Sequence, residues 1–182
     1  MPPLDAIARF EAFVRAHQNM VFAVAVRLLA DRSEAEDISQ TVFLKAWQQF
    51  ETLGASPAAA GWLRMVATNA SLNHLARHRR RWRLFSEMER EGEPDGGFAA
   101  ALPATGSSSE TAEAASSAER LETALQALPA HQRVPLVLFH FEQQSYQEIA
   151  TRLGVSLGKV KTDIHRGREA LRNTLHATDG PR

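Results

Sequence analysis

Cysteine is absent from the 182 residues, tyrosine occurs once, and net formal charge is zero, 21 basic residues balancing 21 acidic ones. Without thiols there is no disulfide framework and no thiolate metal site, which fits a reducing compartment. Long apolar runs are missing too. "MVFAVAV", from Met20 to Val26, is far shorter than the roughly 20 residues a bilayer-crossing helix needs. The opening stretch "MPPLDAIARFEAF" lacks a basic segment followed by an apolar block, so a secretory signal is not expected. A soluble, cytoplasmic protein with no membrane insertion is the expectation. Catalytic signatures are equally scarce: the chain has no phosphate-binding glycine loop, no nucleophile elbow and no HExxH spacing. The seven histidines are scattered, and only His74 and His78 stand one helical turn apart, with arginines rather than carboxylates beside them. No enzymatic activity, cofactor or metal is expected.

What is present is helical periodicity, with 44% hydrophobic residues to build cores. Ile7, Phe10, Val14, Met20, Val21, Val24 and Leu28 recur at intervals of three and four over much of the first segment. "DRSEAED" follows, with Ser33 and Glu36 at capping-box spacing, and predicts a helix to about Phe50. "ETLGASPAAAG" breaks the pattern, and another helix is expected to begin near Trp62. From about Glu91 the texture changes to Gly, Ser, Ala and Pro with few large apolar residues. Such a stretch buries too little to offset its ordering entropy. The expected fold is all-α, two small helical domains at 1–90 and 118–182 joined by a flexible linker at 91–117. Within the second, Pro135 in "HQRVPLVLF" predicts a kink or a late helix start.

The segment "SYQEIATRLGVSLGKVKTDIHRGREALR" has the spacing of a helix-turn-helix. Ser145 and Glu148 form a capping box, Gly154 can end the first helix in the left-handed conformation, and Ser156 can cap the second. Val155 is expected to pack inward. Leu157, Val160, Ile164, Leu171 and Leu175 trace one apolar stripe. Lys159, Lys161, Thr162, His165 and Arg166 occupy the opposite face, where they can meet phosphates and base edges. Asp163 is the odd residue there, since on the groove side it would repel phosphate unless it accepts from a cytosine amino group or pins a neighbouring arginine. A second basic feature lies in "NHLARHRRRWRLF", which puts Arg77, Arg79, Arg80, Arg81 and Arg83 into seven positions around Trp82.

Three segments, "SEAEDISQTVFLKAWQQF", "GWLRMVATNASLNHLARHRRR" and "LPAHQRVPLVLFHFEQQSYQEIATRLGVSLGKVKTDIHRGREALR", resemble in that order those of bacterial RNA polymerase sigma factors of the compact extracytoplasmic-function group. The resemblance covers nearly the whole chain outside the linker. It implies a first domain like sigma region 2 and a second like region 4. The implied partners are core RNA polymerase, at its clamp coiled coil and flap, promoter DNA, and an anti-sigma protein that the long linker would accommodate. By the same resemblance the helix carrying Asp37, Gln40, Thr41 and Leu44 docks on the clamp. These residues fall on one helical stripe that mixes a charge, an amide and an apolar anchor. Thr41 stands where the family usually has Glu. The acidic cluster Glu34, Glu36 and Asp37 would suit a basic protein surface.

The arginine-rich helix corresponds to the family's −10 reading segment. Single strands are held by cations on phosphates and by aromatic faces or polar pockets on bases. Arg77, Arg79, Arg80 and Arg81 would supply charge, and Asn69 and Asn73 paired donors and acceptors for a base edge. Asn73 stands where the family often has Asp. The loop from Phe50 to Gly61 would form a pocket for a flipped base, with Phe50 and Trp62 at its margins, although Trp47 and Trp62 also match the core stripe. Two other readings compete with a promoter-specificity factor. One is a stand-alone helix-turn-helix regulator; the other is a sigma mimic that titrates an anti-sigma protein, toward which only Thr41 and Asp163 lean.

Overall fold

In a computed structural model the described residues are 4–89 and 117–178, and every regular element among them is an α-helix. The chain divides into two compact units, Met1–Pro94 and Asp95–Arg182. The segment expected to be a linker lies outside the described residues, except that Ser117 opens a helix.

The first unit holds α1 (Leu4–Leu29), α2 (Arg32–Gln48), the single turn α3 (Phe50–Leu53) and α4 (Ala59–Glu89). The three long helices pack on one another through Val21, Val24, Ala25, Leu28, Ala35, Ile38, Val42, Ala46, Leu63 and Ala67, all buried. Small residues at 25, 35, 46 and 67 let the helix axes approach closely. The α1–α2 corner differs from the sequence expectation. Ala30 adopts φ 54°, a left-handed conformation that stops α1. The chain then leaves Asp31 extended, and its carboxylate accepts from the Glu34 amide at 2.9 Å. Asp31, not Ser33, therefore caps α2. The expected break after Phe50 is also shorter, because residues 50–53 form a helical turn and α4 begins at Ala59, ahead of Trp62.

The second unit comprises α5 (Ser117–Ala127), α6 (Ala130–His140), α7 (Tyr146–Leu153) and α8 (Leu157–Thr178). Leu125, Leu128, Val134, Val137, Leu138, Ile149, Val160 and Ile164 form its core. Pro135 lies inside α6, and the helix nevertheless starts at Ala130, so the late start does not occur. At Gly167 of α8 a Cβ would come 2.9 Å from the Leu136 side chain, so this glycine lets α6 and α8 cross closely. Arg133 is buried to 4% exposure, and its Nη1 donates to the carbonyl oxygens of Leu128 at 2.6 Å and Gln126 at 3.4 Å. Its guanidinium thereby closes the C-terminal end of α5, where unpaired carbonyls concentrate partial negative charge.

Candidate functional site

In the helix-turn-helix the local chemistry matches the sequence closely. Both arms of the Ser145–Glu148 capping box form, with the Glu148 amide donating to Ser145 Oγ at 3.3 Å and the Ser145 amide to Glu148 Oε2 at 2.7 Å. The Ser145 hydroxyl, which donates to Glu148 Oε2 at 2.7 Å, and the Ser145 amide together hold the Glu148 carboxyl below its ordinary range. Gly154 takes φ 66° and ends α7, and Ser156 Oγ accepts from the Lys159 amide at 3.2 Å to open α8. Val155 is half-buried. Tyr146, Phe139, His140 and Arg168 brace the scaffold behind. The Arg168 guanidinium lies 5.3 Å from the Phe139 ring centre and its Nε donates to His140 at 3.1 Å.

On α8 the residues Lys161, Thr162, His165 and Arg166 are exposed together. Thr162 turns its hydroxyl proton onto the Gly158 carbonyl at 3.0 Å, so its oxygen is left to accept. Two expectations for this helix are corrected. Leu157 sits outside the buried stripe at 36% exposure, because it occupies the first position of the helix, before the face meets the core. Asp163 is not on the groove face: it is buried, with its carboxylate 2.9 Å from the half-buried Lys159 ammonium one turn earlier. Lys159 is consequently tied to a buried acid within the protein, whereas His165 on the outer face lies 3.6 Å from the exposed Glu169.

On α4, Asn69, Asn73 and Arg77 follow one another at four-residue intervals, half-buried, exposed and exposed. Met65, one turn before Asn69, extends this row and is 49% exposed. Sequence reasoning passed over it, although its four-residue step ahead of the paired asparagines was visible. Trp62 is half-buried. The backbone of Arg79, Arg80 and Arg81 continues α4, while their side chains lie outside the described residues. Phe50 is corrected. It is buried, meeting Phe10 at 5.0 Å and Phe13 at 5.4 Å between ring centres, and Trp47 stacks 6.1 Å away. Its ring is core, because the turn that carries it folds back on α1 rather than opening a loop. His74, expected to lack a carboxylate neighbour, places Nε2 3.1 Å from Glu34 Oε1 and links α4 to α2.

The outward stripe of α2 shows Asp37, Gln40, Thr41 and Leu44 all exposed, Leu44 at 66%. Thr41 donates its hydroxyl proton to the Asp37 carbonyl at 3.0 Å. Beside Leu44 lies a shallow apolar depression lined by Phe10, Gln40, Phe43 and Trp47. The acidic cluster is thinner than the sequence suggests. Glu34 faces His74, and Glu36 pairs with Arg32 at 3.2 Å.

Comparison with known proteins bears on these surfaces together. The family model for sigma-70 region 2 matches residues 13–81, and that for sigma-70 region 4 matches residues 118–171. The "ECF RNA polymerase sigma factor SigE" of Mycolicibacterium smegmatis is 33% identical over 93% of this chain and 63% of its own length. The "RNA polymerase sigma-E factor" of Streptomyces coelicolor is 31% identical over 97% of this chain and 91% of its own. The "Probable RNA polymerase sigma factor RfaY" of Xanthomonas campestris is 34% identical, with only 39% of its length covered. The chain thus spans less than two thirds of the SigE and RfaY proteins and nearly all of the streptomycete one. Among solved structures, the sigma factor RpoE of Bartonella quintana, crystallised with the anti-sigma factor NepR, shares the fold. The TM-score is 0.50 at 23% identity, over 92% of this chain and 96% of that one.

Proposed function

The chain belongs to the sigma-70 family of RNA polymerase sigma factors, in the extracytoplasmic-function group, and from that premise we propose that it directs core polymerase to promoters by binding alone. Three separate surfaces divide the work. The α2 stripe of Asp37, Gln40, Thr41 and Leu44 docks on the polymerase clamp, with Leu44 and the adjacent apolar depression as its anchor. The α4 row of Asn69, Asn73 and Arg77, continued by Arg79, Arg80 and Arg81 and flanked by Trp62, holds the melted −10 strand. Phe50 is left out of that set. The outer face of α8, with Lys161, Thr162, His165 and Arg166, reads the −35 element in the major groove. The chain works in the cytoplasm, where the polymerase is. An anti-sigma protein restrains it, as NepR binds the Bartonella RpoE.

The observation that carries this reading is the coincidence of a two-part family match with three outward faces rich in exposed polar and charged side chains. The burial of Asp163 supports DNA binding over the mimic reading, since the carboxylate that would repel phosphate is turned inward and paired. Purified chain mixed with bacterial core polymerase on fragmented genomic DNA should yield discrete run-off transcripts. Binding to core without transcripts would favour the mimic. Stable dimeric binding to DNA with no affinity for core would favour the stand-alone regulator. Leu44→Asp should weaken core binding by about tenfold or more, a loss of at least ~1.4 kcal/mol, while leaving α8 able to bind DNA.

A further inference from the structure

Lys159 and Asp163 lie one turn apart on α8 with their charged ends 2.9 Å apart, and their burial is unequal. The aspartate side chain is 7% exposed and the lysine side chain 39%. His131, at the start of α6, lies within the fields of Asp163, Lys159 and Arg166. As a surface ion pair this arrangement is a poor one. A cation in the first turn of a helix opposes the positive end of the backbone dipole, and Lys ahead of Asp is the weaker order for such pairs. The partnership is therefore held by the other end: a buried carboxylate requires a counter-charge.

We propose that Asp163 is a specificity-determining residue that keeps Lys159 off the phosphate backbone when α8 enters the groove. The inference rests on the reading of α8 as the DNA-contacting helix. Stripping a buried carboxylate of its counterion costs more than one solvent-exposed ammonium–phosphate contact returns. Lys159 thus stays with Asp163 in the complex. Lysine contacts to phosphate strengthen binding to every sequence alike, so withholding one lowers the sequence-independent part of the affinity. Discrimination is left to Lys161, Thr162, His165 and Arg166, which carry no such internal tie to a buried acid.

The test uses the full chain and a short random-sequence duplex, with binding followed by fluorescence anisotropy between about 50 mM and 200 mM salt. Asp163→Asn should tighten binding at low salt and steepen the log–log salt slope by about 0.9, the signature of one added phosphate contact. The double variant Lys159→Ala/Asp163→Asn should return the slope to the wild-type value. If its slope instead fell about 0.9 below wild type, Lys159 would already be on phosphate and the proposal would be wrong. An unchanged slope in a folded Asp163→Asn would also overturn it. Should that single variant fail to fold, the double one still decides, because it removes both charges and leaves neither alone. Lys161→Ala separates the two layers of the argument. A slope lowered by about 0.9 there upholds α8 as the contact, whereas no change sinks that reading and this inference together.

Discussion

Arg133 is at once the most buried arginine among the described residues and a charged one: burial lowers its pKa to about 10, still far above neutrality. What makes the site tolerable is the pair of carbonyls at the end of α5, from Gln126 and Leu128, which accept from its guanidinium. Arg133→Ala would leave those oxygens buried beside a cavity, and a loss of about 2–4 kcal/mol is expected in urea unfolding. Ala30 presents the opposite situation, strain without compensation. Its φ of 54° is a conformation in which a Cβ is disfavoured, and glycine adopts it freely. Ala30→Gly should raise stability by about 0.5–1 kcal/mol by the same measurement, with no effect on DNA or polymerase binding. Neither feature could be read from the sequence. An arginine in "HQRVPL" looks like any solvated cation, and whether an alanine must turn left depends on where the neighbouring helices leave the chain.

At the scale of elements, legibility followed how local the determining physics was. The α7–turn–α8 motif was readable because its capping box, left-handed glycine and second cap all act within four residues of one another. The α2 start was misplaced because "DRSEAED" offers two capping candidates, and only the position of the α1 end selects Asp31. Phe50 was misread for the same kind of reason. Its burial depends on Phe10 and Phe13 from a helix far back in the chain, and aromatic contacts across elements leave no periodic trace. Gly54 secures that arrangement, since a Cβ there would fall 2.6 Å from the Phe50 ring. Gly54→Ala should displace the ring, cost about 1–3 kcal/mol, and quench or shift the fluorescence of the neighbouring Trp47. Asp163 was half legible: the sequence posed a choice between a cytosine and a neighbouring arginine, and the structure buries the carboxylate against Lys159 instead. The capping box also has a pH signature. Hydrogen bonds depress the Glu148 pKa, so its contribution is present above the ordinary carboxylate value of 4.5 and is lost as pH falls through the lower folded value. In Glu148→Gln the acid limb of the α7 unfolding profile should flatten.

At the scale of the whole molecule, neutrality conceals a division of labour. The α2 and α4 surfaces belong to the first unit and the α8 surface to the second, and each unit closes its own core. Small cores are marginal, because a short chain hides a smaller share of its surface on folding. Two such units joined by a segment poor in large apolar residues should unfold in two calorimetric steps rather than one. Acid identifies which step is which. His131 and His140 both lie in the second unit, and burial is the leading cause that lowers the pKa of each, with positive neighbours adding to it and Asp163 opposing it at His131. A histidine whose folded pKa lies below the ordinary 6.5 stabilises the fold above that value and withdraws its support as pH drops through the folded pKa. Lowering the pH from about 7 to about 5.5 should therefore move the second unit's transition down in temperature, by a modest amount because His131 is only half-buried and His140 is exposed. His131→Gln/His140→Gln should remove most of that movement while leaving the other transition in place. A single transition that shifts as a whole would mean the two units unfold as one. In that case the α2 and α8 faces could not be treated as separable parts.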